Sequence, residues 1–511
     1  MATYDVIVVG AGNGGLAAAA TAAKKGLKTL LIERHNLPGG AATSFTRGRF
    51  EFEPALHELS SYGPKTQPGN IRQLFDWLGL KVKLHPVPDV YRMINTGADH
   101  FDAKMPAGRQ AFIDQMEHLV PGSRASVTAF FNIAGEGLLA LRELQAAPEQ
   151  IDWQALDQKY PHFLLYGTQP YQQVLATLGI PKKAQSIMMA YWCYMGIPGD
   201  EFEFAYFSTM LAAYVMLDAY VPENRSHELS TALVQVVLDH GGDAWFNTEV
   251  TALTVDQGRV TGVQIGDRKI TAKQVICDIM PHMVYQKMLP ATAVPKQALQ
   301  LAHARQIGTS GFLVYFGLNR SPEELGIEDY SVFMADTADS RQQFAEMDNR
   351  THNNFTIMNC LNKVLPECSP AGTSILYATK LYRDRAWDDV TVDQYEKVKT
   401  QVAQEVITQY EQATGVHIQD AIEEIEIAAP ATFARYLRSP GGDIYGYYGQ
   451  PWDQLLGRTA GFKAEDESIP GLHFCGGAGF LLDGYSSAYQ SGYIAAKIVS
   501  DEIVKEGVTH G

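Results

Sequence analysis

The sequence predicts an α/β plus α+β fold in which a discontinuous parallel-sheet domain is interrupted by a helical and mixed-sheet domain. Three observations carry this expectation. A β-branched strand enters a glycine turn and an Ala-rich helix at the N-terminus, and a second strand, glycine turn and helix close the chain. Between them lie a long proline-broken helical tract and a run of alternating strands and helices. The 511 residues suffice for two or more cores.

Tyr4 to Val9 (YDVIVV) has the composition of a buried parallel strand. Gly10-Ala11-Gly12-Asn13-Gly14-Gly15 follows and satisfies G-x-G-x-x-G. Leu16 to Lys25 reads as a helix of small residues ended by Gly26, Leu27 to Ile32 as a second strand, and Glu33 closes the unit. Gly10 allows the sharp turn, Gly12 the approach of a pyrophosphate, and Gly15 close packing of helix on strand. The helix N-terminus, with Asn13 and Gly14, turns its N–H groups toward the phosphates. Glu33 is placed for an adenosine ribose, and Arg34 beside it is a further candidate contact. Such order within one βαβ unit points to a dinucleotide; the glycines alone do not separate NAD from FAD.

Hydrophobic content of 46%, charged content of 19% and a net charge of −16 fit a soluble enzyme and argue against nucleic-acid partners. No basic stripe supports broad docking on anionic membrane, although a small apolar patch leaves peripheral contact open. The N-terminal apolar run has no basic region before it and reads as a strand, not a signal peptide. Phe204 to Leu217 is shorter than the roughly 20 residues of a spanning helix. The five scattered cysteines lack C-x-x-C, so a reduced cytoplasmic compartment without a metal site is expected.

Farther along, Ile71 to Leu80 forms an amphipathic helix and Arg92 to Met105 a small hairpin. Gln110 to about Tyr220 is helical and broken at prolines. His227 to His240 is a helix ended by Gly241-Gly242. Trp245 to Asn247, Val250 to Val255, Arg259 to Ile265, Lys269 to Ile270 and Gln274 to Asp278 read as strands. From Pro281 to Ala428 strands and helices alternate, which suggests an antiparallel sheet with helices on one face. Gly471 to Phe474 is a strand entering Cys475-Gly476-Gly477-Ala478-Gly479. Gly484 to Gly492 then leads into a helix from Tyr493 to Glu502.

Leu37-Pro38-Gly39-Gly40-Ala41-Ala42-Thr43-Ser44 resembles the Gly-Gly segment of flavoproteins with two dinucleotide-binding domains. The resemblance implies FAD, with Gly39, Gly40 and Ala41 along it and the backbone of Val250 at the adenine. Gly442-Asp443-Ile444-Tyr445-Gly446, the turn after Cys475 and Gln490-Ser491-Gly492 extend the likeness. Over nearly its whole length the chain resembles the phytoene desaturase, carotenoid isomerase and retinol saturase group. Residues 1–65, 223–290 and 431–511 would then form a Rossmann-like FAD-binding domain. Residues 66–222 and 291–430 would form a substrate or cap domain. Gly476, Gly477, Ser486 and Ser487 are expected at the flavin, where a helix dipole stabilises reduced-flavin charge. The chain departs from relatives at Pro222-Glu223-Asn224-Arg225-Ser226, where they often carry Pro-x-Gly-Gly.

The expected chemistry is hydride exchange between substrate carbon and flavin N5, with a proton moved at the adjacent carbon. Candidate donors or acceptors are His57, Glu58, Asp483, Tyr485 and Tyr489. Met- and aromatic-rich Met188 to Met195 and Phe204 to Tyr220 suit either a long apolar substrate or two buried cap helices. The resemblance implies desaturation, saturation or cis–trans isomerisation of a carotenoid, retinoid or other isoprenoid. The electron partner is oxygen, a quinone or a redox protein. Alternatives are an amine-oxidase-like enzyme, with Tyr445 and Tyr485 framing the flavin, and a flavin- or lipid-binding protein without turnover.

Overall fold

The computed structural model describes residues 3–146, 151–383, 385–461, 468–479, 481 and 484–509. Two seven-stranded sheets organise them. In the first, Tyr4–Val9 is central and parallel to both Thr29–Ile32 and Arg268–Cys277. Asp243–Trp245 and Leu472–Phe474 add parallel strands beyond these two. Continuous burial of the β-branched runs is what a parallel sheet covered on both faces requires.

The two strands expected at Lys269–Ile270 and Gln274–Asp278 are one strand, Arg268–Cys277. Its first half is antiparallel to Arg259–Ile265 and its second half parallel to Tyr4–Val9. Burial alternates along the first part and becomes continuous over the last four residues, because the strand passes from a one-sided hairpin into the doubly covered sheet.

Helix Asn13–Lys24 packs against this sheet through buried alanines. The closing helix, Tyr485–Thr509, lies against it so closely that a Cβ on Gly492 would stand 2.1 Å from the Gly14 carbonyl oxygen. That helix begins at Tyr485, eight residues before the expected Tyr493 start, so Ser486 and Ser487 lie in its first turn. Helix Arg225–Asp239 is fastened from a distance: the buried Glu53 carboxylate accepts the Ser226 N–H at 2.8 Å and its hydroxyl at 2.5 Å. Arg225 adopts φ +71°, in the tetrapeptide where glycines would be expected. Its guanidinium donates to the carbonyls of Glu51 and Cys368, and these bonds offset the left-handed backbone.

The second sheet runs Ile422–Ala428, Ser310–Leu318, Ser374–Tyr382, Thr356–Cys360, Ser331–Ala335, Asp89–Asn95, Phe101–Pro106. All pairs are antiparallel except Ser331–Ala335 with Asp89–Asn95. The hairpin expected near Arg92–Met105 therefore does not stand alone; it forms the sheet's edge. Its partner Ser331–Ala335 went unanticipated because five continuously buried residues show no period. Helix Tyr395–Thr414 packs on one face of the sheet, and the other face meets the helical tract. In that tract, Arg124–Ala146 and Phe204–Met216 pack against each other. Among the described residues no helix is long and apolar enough to cross a membrane.

Candidate active site

A cavity of about 1160 Å³ opens at the C-terminal ends of the parallel strands and continues between the two sheets toward the helical tract. That volume exceeds the ordinary range for one small ligand, roughly 300–1,000 Å³. Its first compartment is built from glycine. Gly10, at φ +100°, turns the chain out of the first strand. A Cβ on Gly12 would come within 2.5 Å of Asp278 Oδ2, and one on Gly14 within 2.3 Å of the Gly476 backbone nitrogen. Gly15 does not reach the cavity. It packs inward, where a Cβ would stand 2.0 Å from the Gly10 carbonyl oxygen, and its N–H donates to Asp278 Oδ2 at 3.1 Å.

Backbone groups lock Glu33 in place. Its Oε2 accepts the Ala11 N–H and its Oε1 the His35 N–H, each at 2.7 Å. Gly39 donates its N–H to the Ala11 carbonyl at 2.7 Å, which lays Gly39, Gly40 and Ala41 along the same wall. Arg34, Val250, Gly476, Gly477, Ser486 and Ser487 also line the cavity. Ser486 donates to the Ser60 carbonyl at 2.8 Å and Tyr485 to the Ala41 carbonyl at 2.6 Å. Tyr485 thereby ties the Gly-Gly segment to the closing helix. The Asn13 side-chain oxygen lines this compartment, buried and without a hydrogen-bond partner. A side-chain-free cradle at a helix N-terminus fits a dinucleotide diphosphate.

The second compartment is apolar and aromatic, with Phe131, Leu138, Met210, Met216, Tyr194 and Tyr214 on its walls. The Tyr191 and Tyr194 rings stack at 4.6 Å. Between the compartments stand His57 and Glu58. His57 Nε2 lies 2.8 Å from Thr379 Oγ1, and burial pushes its pKa down to about 4, so the ring is neutral at physiological pH. Glu58 accepts the hydroxyls of Tyr194 at 2.8 Å and Tyr191 at 3.3 Å through Oε1, while its Oε2 is buried with no partner. Burial raises its pKa to about 7 against the lowering effect of the two hydroxyls.

Not every candidate reaches the cavity. Tyr489 is a core residue: its ring meets Phe75 edge-on at 5.3 Å, and it lies away from the cavity wall. Tyr489 sits one turn beyond Tyr485 on the same face, about 6 Å farther along the helix axis, where it packs toward the Asn70–Leu78 helix. Asp483 lies outside the described residues. Two functional positions escaped sequence reasoning. Thr379 reaches His57 from the second sheet, with no local signal. Asp278 directly follows a parallel strand, the position where α/β sheets place ligand-facing groups, and that signal was available.

Residues 5–73 match the family model described as FAD dependent oxidoreductase. The all-trans-retinol 13,14-reductase of Danio rerio is 24% identical over 480 residues, covering 86% of this chain and 77% of the relative. Prolycopene isomerase 2 of an Oncidium hybrid cultivar is 21% identical, covering 98% and 84%. The chain is an FAD-dependent oxidoreductase. Solved structures place its fold among flavin oxidases. Putrescine oxidase bound to putrescine has a TM-score of 0.63 at 14% identity, covering 98% of this chain and 99% of the other. Cyclohexylamine oxidase from Brevibacterium oxydans has 0.60 at 15% identity, also covering 98% and 99%.

For this oxidoreductase, Asp278 should make FAD affinity depend on pH. Burial raises its pKa to about 6, Glu33 adds to the rise, and the Gly15 and Gly12 amides oppose it. A diphosphate at the same helix end pushes the carboxyl further up, so binding takes up a proton above about pH 6. The FAD dissociation constant should therefore rise with pH above that point, by up to about tenfold per unit. Asp278→Asn should flatten the profile in fluorescence titrations; an unchanged slope would remove Asp278 from the linkage.

Proposed function

We propose that this FAD-dependent oxidoreductase acts on carbon–carbon double bonds of an apolar polyene, isoprenoid or other lipid, by desaturation, saturation or cis–trans isomerisation. The observation that carries the reading is the single cavity in which an unpartnered Glu58 oxygen stands between a dinucleotide cradle and an apolar compartment. The names of the relatives, a retinol reductase and a prolycopene isomerase, point the same way.

FAD, when bound, supplies the two-electron hydride chemistry. Gly10, Gly12, Asn13, Gly14, Glu33 and Gly39 would hold its adenosine diphosphate part, and Gly476, Gly477, Ser486 and Ser487 the opposite part. Glu58 gives or takes the proton at the substrate carbon, its Oε1 held by Tyr194 and Tyr191 and its Oε2 left without a protein partner beside the cavity. His57, neutral and pinned to Thr379, shapes the wall without competing for that proton. Tyr194, Tyr214 and Met210 exclude water and follow the contour of a kinked chain.

The test is anaerobic mixing of the FAD-loaded protein, reduced or oxidised, with polyenes, followed by the visible spectrum and chromatography of hexane extracts. The expected result is a change in flavin bands together with a product differing by two hydrogens, or an isomer formed only with reduced flavin. Bleaching by primary amines and by no polyene would replace the reading with amine oxidation. Ligand uptake without either change would make the protein a flavin-dependent lipid binder.

A further inference from the structure

Two arginines of the cavity wall beside the helical tract have no part in the chemistry above. Arg109, at the start of helix Arg109–Leu119, donates to the Asn132 side-chain oxygen. Arg142 donates to the Gln73 side-chain oxygen at 3.1 Å. Both arginines and Asn132 line the cavity, while Gln73 holds Arg142 from outside it. Neither guanidinium meets a carboxylate among the described residues, although the chain carries 57 acidic and 41 basic side chains. Of the other cavity arginines, Arg438 pairs with Glu249 and Arg34 is held by the carbonyls of Arg435 and Tyr436.

Their place is the mouth. Arg142 is exposed, and Leu139 beside it on the same helix is 54% exposed while lining the cavity. Asn132 and Arg142 are ten residues apart, about 15 Å along the helix axis. The cations thus flank the opening, and their field acts on a ligand head as much as direct contact does. Amide partners hold each guanidinium without neutralising it, which leaves donors for a planar anion. The inner end has the opposite character: there Glu58 would repel an anion and the aromatic walls accept an apolar tail.

We infer that the ligand of the apolar compartment ends in a carboxylate, met at the mouth by the exposed Arg142 and drawn there by the added field of Arg109, with its apolar chain directed inward to Tyr194 and Tyr214. This rests on the apolar-ligand reading of the preceding section. It adds a head group and fixes which end of the chain enters first.

The experiment compares cis-parinaric acid, a fluorescent polyene fatty acid, with its methyl ester on the FAD-loaded protein and on the Arg109→Gln/Arg142→Gln double variant. The acid should bind the native chain about tenfold tighter or more than the ester, and added salt should weaken the acid alone. In the variant the ratio should fall to about one with ester affinity unchanged, which also shows that the variant is folded. Equal binding of acid and ester to the native protein would overturn the head-group assignment and leave the apolar compartment standing. A preference that survives in the variant would do the same. Should the variant fail to fold, a salt-insensitive preference in the native protein would also overturn it. Binding of neither probe would overturn the compartment reading, and the head group with it.

Discussion

Replacing Glu58 by Gln should slow the substrate-dependent step by about 10²–10⁴-fold while FAD content and ligand affinity stay near native. Gln keeps the shape and the Oε1 acceptor used by Tyr194, and loses the transferable proton. The pH profile adds a second readout. In the native protein the carboxyl is protonated below about pH 7. As a proton donor it makes kcat/KM fall as pH rises through that value; as an acceptor it makes kcat/KM rise. Either inflection should vanish in Glu58→Gln, and the sign in the native protein reports whether the reaction saturates or desaturates. Stability should move the other way. A carboxyl whose folded pKa is raised from 4.5 to about 7 destabilises the fold increasingly as pH rises between those values. At pH 8 the variant should therefore be more stable, by up to about 3 kcal/mol. A slow variant with an unchanged pH inflection would place the proton on another group.

Gly492→Ala should destabilise the protein and weaken FAD binding at least about tenfold. On propensity alone the change should help, since Ala is better than Gly inside a helix by roughly 1 kcal/mol. Here the new methyl would stand 2.1 Å from the Gly14 carbonyl oxygen and 2.9 Å from the Ala18 nitrogen, both backbone atoms that no rotamer can move. The closing helix must shift away from the first, at a cost of about 1–3 kcal/mol or more. The shift parts two walls of the cradle, since Gly14 belongs to one helix and Ser486 and Ser487 to the other. Gly135→Ala is the matched control. It too lies within a helix, but its Cβ would meet only the Met216 methyl at 3.8 Å, so the melting temperature should rise slightly. Melting shifts of the same sign in both variants would rule out this backbone clash as the cause.

Sequence reasoning reached the cradle because its parts are local. A β-branched run, glycines at fixed offsets, an Ala-rich helix and an acid arrive in order, and each answers a steric or electrostatic need within one βαβ unit. The Gly-Gly segment and the glycine turn after Cys475 were legible for the same reason, as were most helices, whose period is written in consecutive residues. Boundaries were weaker where packing overrides local pattern. The periodicity of Arg268–Cys277 changes midway and so reads as two strands, and glycine, serine and tyrosine carry too little helical signal to mark the start of the closing helix.

Local sequence specifies the dinucleotide-binding unit and the class of chemistry that follows from it. Long-range packing selects the side chains that share the ligand's space. Glu58 became the proton candidate because Tyr191 and Tyr194, more than 130 residues away, satisfy one of its oxygens and leave the other without a partner. Tyr489 lies in the core because the closing helix carries it one turn beyond the cavity against Phe75, and Asp278 faces the cavity because strand pairing sets it beneath the first glycines. Such facts depend on contacts between residues far apart in the chain. No local period or spacing encodes them, since burial and unsatisfied hydrogen bonds arise only when distant segments pack.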